Sequence, residues 1–188
     1  MDNYVPKGYN QQYNRKEQGV MADYVIIMGY DEHNGSSLEA GSVSSYEFVK
    51  EGIEETIKEV PAEKVISGIP FFTRLWSETP KTQEELNQEA GTEAADYPMK
   101  VTSEALGMST ARDKISQAGA ETTLDETTGN NYATWEADGV TYEIWLEDAT
   151  SIEPKLQLMK ENKLAGTAAW ALGQESSDIW NLILKYVN

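Results

Sequence analysis

The sequence predicts an α/β protein, on three observations. Three short apolar runs, at 24–29, 64–76 and 164–173, each end in aromatic and charged residues. Segments with apolar residues at three- and four-residue spacings separate them, and the stretch 77–145 interrupts the alternation. A continuous apolar run bounded by polar residues reads as a strand buried on both faces, the habit of parallel sheets, whose strands are joined by crossover helices.

The first run, Tyr24-Val25-Ile26-Ile27-Met28-Gly29, stops abruptly at Tyr30, Asp31, Glu32 and His33, the only histidine of the chain. The same layout recurs twice, so Tyr30, Asp31, Arg74, Trp76, Trp170 and Glu175 all fall at carboxyl ends of expected strands. Enzymes built on (β/α)8 barrels gather their site residues there.

Between the first two strands, 34–41 is a loop, and Ser44 with Glu47 has the form of a capping box. Phe48, Val49, Gly52, Ile53, Thr56, Ile57 and Val60 form the apolar stripe of the helix that follows, and Pro61 ends it. A strand over 65–71 completes a βαβ unit with the usual right-handed crossover. The stretch 77–145 is too long for a bare loop. It predicts a helix over 108–118, ended by Gly119, then strands at 121–124, 132–136 and 140–146, with turns at Thr127-Thr128-Gly129-Asn130 and Asp138-Gly139. Ser151 is the expected cap of a helix lined by Ile152, Leu156 and Met159. A strand from Gly166 follows, and then a helix capped by Ser177 or Asp178 with Ile179, Trp180, Ile183, Leu184 and Val187 as its stripe.

The chain's 188 residues allow one domain with a small insertion. A formal net charge of -17, from 15 Lys+Arg against 32 Asp+Glu, repels phosphate backbones and anionic lipid surfaces, so neither nucleic acid nor membrane is an expected partner. No apolar run reaches the length of a membrane span. The chain has no cysteine, hence no disulfide, thiolate nucleophile or thiolate metal site. Asp31-Glu32-His33 is a weak metal motif, because a lone histidine lacks spaced partner ligands. No metal and no cofactor are expected.

Met28-Gly29-Tyr30-Asp31 resembles the Met-x-Tyr-Asp signature on the sixth strand of family 18 glycoside hydrolases. Gly68-Ile69-Pro70-Phe71-Phe72-Thr73-Arg74-Leu75-Trp76 resembles their seventh strand, and Gly166-Thr167-Ala168-Ala169-Trp170-Ala171-Leu172-Gly173 their eighth. Tyr30-Asp31-Glu32-His33 and Trp145-Leu146-Glu147-Asp148 are similar to the bacterial branch of spore-cortex and cell-wall N-acetylglucosaminidases. The resemblance implies a partial (β/α)8 barrel: 1–76 from the end of strand five to strand seven, 77–145 a small α+β insertion, and 146–188 the last helices and strand eight. Asp2 to Pro6 would be the remnant of strand five.

By the same resemblance the activity is hydrolysis of β-1,4-linked N-acetylglucosamine glycans by substrate-assisted retaining catalysis, in which the sugar's own acetamide attacks the anomeric carbon. Tyr30 and Asp31 would support that step as catalytic residues. Met28, Tyr4, Arg74, Trp76, Trp145, Trp170 and Glu175 would bind substrate, Trp170 as the floor under the sugar. The family's acid comes from an Asp-x-x-Asp-x-Asp-x-Glu pattern, which occurs nowhere in these 188 residues. The expectation is therefore a carboxyl-terminal fragment inactive by itself. A non-catalytic glycan-binding protein is the alternative. The parent protein is expected outside the cell, at the cell wall or spore, although this chain opens with no signal peptide. Barrel strands without their neighbours leave edges and an apolar face open, with Val25, Ile27, Ile66, Ile69 and Ala168 as the candidates, so a homo-oligomer is expected.

Overall fold

The computed structural model describes residues 1–4 and 14–187. Tyr9 and Tyr13, expected to pack on a surface loop, lie outside the described residues, as do Val5 and Pro6. The described elements are α1 (Arg15–Met21), β1 (Val25–Met28), α2 (Tyr46–Ile57), β2 (Val65–Pro70), β3 (Phe72–Pro80), α3 (Gln83–Gln88), β4 (Met99–Gly107), α4 (Met108–Ala118), β5 (Thr123–Asp125), β6 (Asn130–Ala137), β7 (Val140–Leu146), α5 (Ala149–Glu161), β8 (Gly166–Trp170) and α6 (Ile179–Val187).

They form two sheets. One is parallel, in the order β1-β2-β8, with Met28 beside Gly68 and Gly68 beside Ala168. The other has five strands, order β4-β3-β7-β6-β5, antiparallel throughout. Ahead of β1 the chain adds a parallel bridge between Asp2 and Met28, with the Met28 N–H donating to the Met1 carbonyl at 2.8 Å.

The α/β class follows from the three apolar runs, and the first and third become β1 and β8. The middle run behaves differently. Its parallel strand ends at Pro70, and Phe72–Pro80 is a separate strand that leaves for the antiparallel sheet, pairing with β4 along nine residues. Buried Phe71 is the switch, its N–H donating to the Trp170 carbonyl at 2.7 Å and its ring meeting Trp180 edge-on. An unbroken apolar and aromatic run carries no mark of a change of sheet, so the antiparallel sheet begins ahead of the expected start at Ser77. It also holds β4, which Met99-Lys100-Val101-Thr102-Ser103-Glu104 announces only by alternation, and α3 precedes it with a Thr82–Glu85 capping box.

Two caps move. The cap of α2 is Ser45, whose Oγ accepts from the Phe48 N–H at 3.3 Å, while Glu47 pairs with Lys50. Ser44 is instead buried, with its hydroxyl on the Gly29 carbonyl. Helix α5 starts one turn before Ser151, capped by Asp148, and Ser151 completes a reciprocal box at its third position.

Val25, Ile27, Val49, Ile53, Val60, Val65 and Leu158 pack α2 onto the parallel sheet. Ile69, Phe71, Ile152, Leu156, Ile179 and Ile183 do the same for α5 and α6. Removing each such side chain from water is worth roughly 1.5–3 kcal/mol. Val25, Ile27 and Ile69 are therefore covered by helices and are not the bare residues expected. The open face is the opposite one, where Ile26 is 46% exposed and Trp170 59%. Side chains alternate across a strand, and the helices take the odd-numbered positions of β1.

Candidate active site

Tyr30 and Asp31 leave the carboxyl end of β1 between two cavities. One, about 340 Å3, is lined by Asp2, Asn3, Met28, Tyr30, Asp31, Glu32, Asn34 and Phe48. The other, about 290 Å3 and largely apolar, is lined by Met28, Tyr30, Gly68, Ala168, Ala169 and Trp170 among others. Met28 and Tyr30 belong to both. Met28, Tyr30, Asp31 and Trp170 are thus brought together at the carboxyl ends of β1 and β8.

Two features place the Tyr30 ring. It meets Phe72 edge-on, with centroids 6.0 Å apart, and it lies over Gly68. A Cβ at position 68 would stand 3.4 Å from the ring and only 2.7 Å from the Ile27 carbonyl, so only glycine fits there. Asp31 has φ +64°, a left-handed conformation that aspartate tolerates better than most residues and that turns its side chain out of the strand direction.

Charge and burial tune both groups. Burial, then the neighbouring Asp31, pushes the Tyr30 hydroxyl above its ordinary pKa, so it is a proton-bearing donor at neutral pH. The Asp31 carboxyl is also raised, chiefly by burial; the Arg74 guanidinium opposes this and Asp2 adds to it. Arg74 reaches this neighbourhood from β3, with Nη1 donating to Ser103 Oγ at 2.9 Å.

The loop after Asp31 is braced onto α2. Glu32 accepts from the Ser45 N–H at 2.7 Å and the Ser45 hydroxyl at 2.9 Å. The His33 Nδ1 sits 2.9 Å from the Ser42 carbonyl. These contacts use Glu32 and His33 to hold the loop, and among the described residues no group of three or more His, Cys, Asp or Glu is arranged to hold a metal ion.

Four of the other expected substrate contacts lie elsewhere. Trp76 is 1% exposed, with its indole N–H donating to the Gly41 carbonyl at 2.9 Å, so it is a core residue without a face for a ligand. Tyr4 packs under Arg15, 5.8 Å from guanidinium carbon to ring centre, and lines a depression beside the acidic face of α2. Glu175 clasps its own loop, accepting from the Gly173 N–H at 2.6 Å and from the Trp180 indole at 3.4 Å. Trp145 leans on Tyr132, donates to Asp125 at 2.9 Å, and walls a third cavity of about 400 Å3 with Leu38, Glu39, Ala40, Tyr97 and Met99 among its lining. Asp2, Asn3, Asn34 and Phe48 also line the first cavity and were not singled out as site residues in the sequence, since they come from three separated segments with no common spacing.

The family model for glycosyl hydrolases family 18 matches residues 3–175. The chain belongs to that family. It is 28% identical over 174 residues to the uncharacterized glycosylase YvbX of Bacillus subtilis (strain 168), covering 92% of this chain and 45% of that protein. With the cortical fragment-lytic enzyme of Bacillus anthracis it shares 25% identity over 172 residues, 90% of this chain and 36% of the relative. Among solved structures, the Bacillus megaterium QM B1551 spore cortex-lytic enzyme SleL matches 98% of this chain and 38% of its own at 26% identity, with a TM-score of 0.76. The Cycas revoluta family 18 chitinase in complex with (GlcNAc)3 matches 100% of this chain and 53% of its own at 26% identity, with a TM-score of 0.70. The chain spans less than half the length of the two Bacillus sequences.

Proposed function

We propose that this chain is the carboxyl-terminal part of a family 18 glycosidase acting on β-1,4-linked N-acetylglucosamine glycans of the peptidoglycan or chitin type. The observation that carries this reading is the convergence of Tyr30, Asp31 and Trp170 at the ends of parallel strands, around two cavities that share Met28 and Tyr30. In it, β1, β2 and β8 are strands six to eight of a (β/α)8 barrel, the Asp2 bridge is the edge of strand five, and the antiparallel sheet is the insertion after strand seven.

Trp170 offers a broad apolar face to the C–H face of a sugar. Tyr30, protonated at neutral pH, donates its hydroxyl to the acetamide oxygen as that oxygen attacks the anomeric carbon, and Asp31 takes the hydroxyls of the same ring. The proton for the leaving group comes from a carboxyl outside this chain, whose sequence lacks the family's acid pattern. The names of the relatives support a parent protein that works at the cell wall or spore.

Calorimetry with N-acetylglucosamine oligomers tests the reading. The expected result is weak binding that Trp170→Ala abolishes, with no hydrolysis of chromogenic N-acetylglucosaminides above background. Absence of heat with the unmodified chain overturns the glycan assignment; robust turnover by a preparation free of host enzyme overturns the assignment of the acid.

A further inference from the structure

A buried column of polar groups runs from α5 to the back of the site. Lys155 Nζ lies 3.1 and 2.9 Å from the two Glu147 carboxylate oxygens, and both side chains are 1% exposed. Glu147 also accepts from Ser151 Oγ at 2.9 Å and from Asn130 Nδ2 at 3.0 Å. The same Asn130 nitrogen donates to the Leu146 carbonyl at 2.9 Å, and its Oδ1 accepts from Ser42 Oγ at 2.9 Å. Ser42 Oγ in turn accepts from the Ser44 N–H at 3.1 Å, and Ser44 Oγ donates to the Gly29 carbonyl at 2.6 Å. Tyr30 is the next residue.

The chemistry gives the column one direction. The Leu146 carbonyl only accepts, so the Asn130 amide turns its nitrogen to it and to Glu147 and is left with its oxygen toward Ser42. Ser42 must then donate its one hydroxyl proton to that oxygen, which frees its lone pairs for the Ser44 N–H. The Ser44 hydroxyl in turn donates to Gly29. Every member is buried, so losing the Ser42 hydroxyl leaves the Asn130 Oδ1 without the donor that serves it here. A buried ion pair is in itself poor evidence of stabilisation, since well-packed apolar residues often do as well. Here it anchors the end of a chain of bonds whose other end is the carbonyl ahead of Tyr30.

We propose that Asn130 is a positioning residue for the site: it carries the register of the antiparallel sheet and of α5 to the Gly29 carbonyl, and so sets the direction in which Tyr30 and Asp31 leave β1. It lines neither of the two cavities. This rests on the assignment of Tyr30 and Asp31 given above.

The test uses Asn130→Ala and Ser42→Ala in the full chain, followed by carbon-13 NMR of the Gly29 carbonyl and of the Asp31 carboxyl through a pH titration, and by tryptophan fluorescence with the N-acetylglucosamine trimer. Both variants are expected to fold, to shift the Gly29 signal, to move the Asp31 midpoint as its setting against Arg74, Asp2 and Tyr30 changes, and to weaken trimer binding. Variants that fold and lose stability while the Gly29 and Asp31 signals stay in place overturn the proposal, because the column would then only hold the sheets together. If Asn130→Ala does not fold, Ser42→Ala, which removes a single hydroxyl, decides by the same signals. If the unmodified chain binds no trimer, the glycan assignment falls, and the NMR result alone decides the role of Asn130.

Discussion

Tyr30 and Asp31 are adjacent, yet their environments suit them to different tasks. Burial and the neighbouring carboxylate keep the Tyr30 hydroxyl protonated, as the proposed role of donor to a substrate acetamide requires. With the acid-bearing half supplied, Tyr30→Phe is expected to lower turnover about a hundred- to thousand-fold with little change in substrate affinity, measured as kcat against KM. Asp31 is shifted in the same direction, but its shift acts on a carboxyl that ionises in the acid range. Its folded pKa lies above the ordinary 3.8, so the folded state holds this proton more tightly than the unfolded chain does. Stability linked to it is fully present below about pH 3.8 and is lost as pH rises through the folded value. Asp31→Asn is therefore expected to raise the melting temperature at neutral pH by a small amount, because the side chain is partly open to water. The difference should vanish in acid, and thermal melts from pH 3 to 7 would show it.

The helices hold their positions by contacts that propensity alone misjudges. Gly52 sits in the buried face of α2, where Gly to Ala normally gains up to about 1 kcal/mol. Here a Cβ would lie 1.7 Å from the Asn3 side-chain oxygen, and the Asn3 amide also donates to the Phe48 carbonyl at 2.7 Å. Gly52→Ala is expected to destabilise by about 1–3 kcal/mol in urea unfolding, with the sign, not the size, as the decisive point. In α5, Lys155→Met leaves Glu147 buried without its cation, and about 3–5 kcal/mol is the expected loss. A loss below about 1 kcal/mol would mean that water reaches the carboxylate.

The assembled chain leaves the face of its parallel sheet opposite the helices open, with Ile26 and Trp170 on it, and beyond them Leu172, 76% exposed. Apolar area is worth roughly 25 cal/mol per Å2 when buried, so several hundred Å2 give several kcal/mol toward association. The net charge of -17 acts against it by repulsion between copies. Salt screens that repulsion and leaves the apolar term intact. Light scattering over a dilution series is expected to show a homo-oligomer whose population rises with sodium chloride and falls in Ile26→Glu. A monomer at all salt concentrations would show that the open face does not self-pair.

Strand and helix identity was legible wherever one short-range pattern decided it: the apolar runs of β1 and β8, the 3.6-residue stripe of α2, the turn residues around β6 and β7, and α4, which spans the expected residues. That Tyr30, Asp31 and Trp170 fall at the carboxyl ends of β1 and β8 was legible from the apolar runs ahead of them, whereas the roles expected of them came from the resemblance to the family. Other features depended on pairings between distant segments. Nothing in Gly68 to Trp76 marks Phe71 as the point where the chain changes sheets, because both sheets ask for the same apolar residues. Trp76 and Trp145 look alike in sequence, and only packing buries one against Gly41 and leaves the other at a cavity wall. The cap at Ser45 rather than Ser44 was set by the Gly29 carbonyl, which claims the Ser44 hydroxyl. Ser42 meets Asn130, 88 residues further along the chain, and Asn130 and Lys155 both bond to Glu147, at separations where no local period operates; only a closed three-dimensional core makes burial of their polar groups conditional on one another.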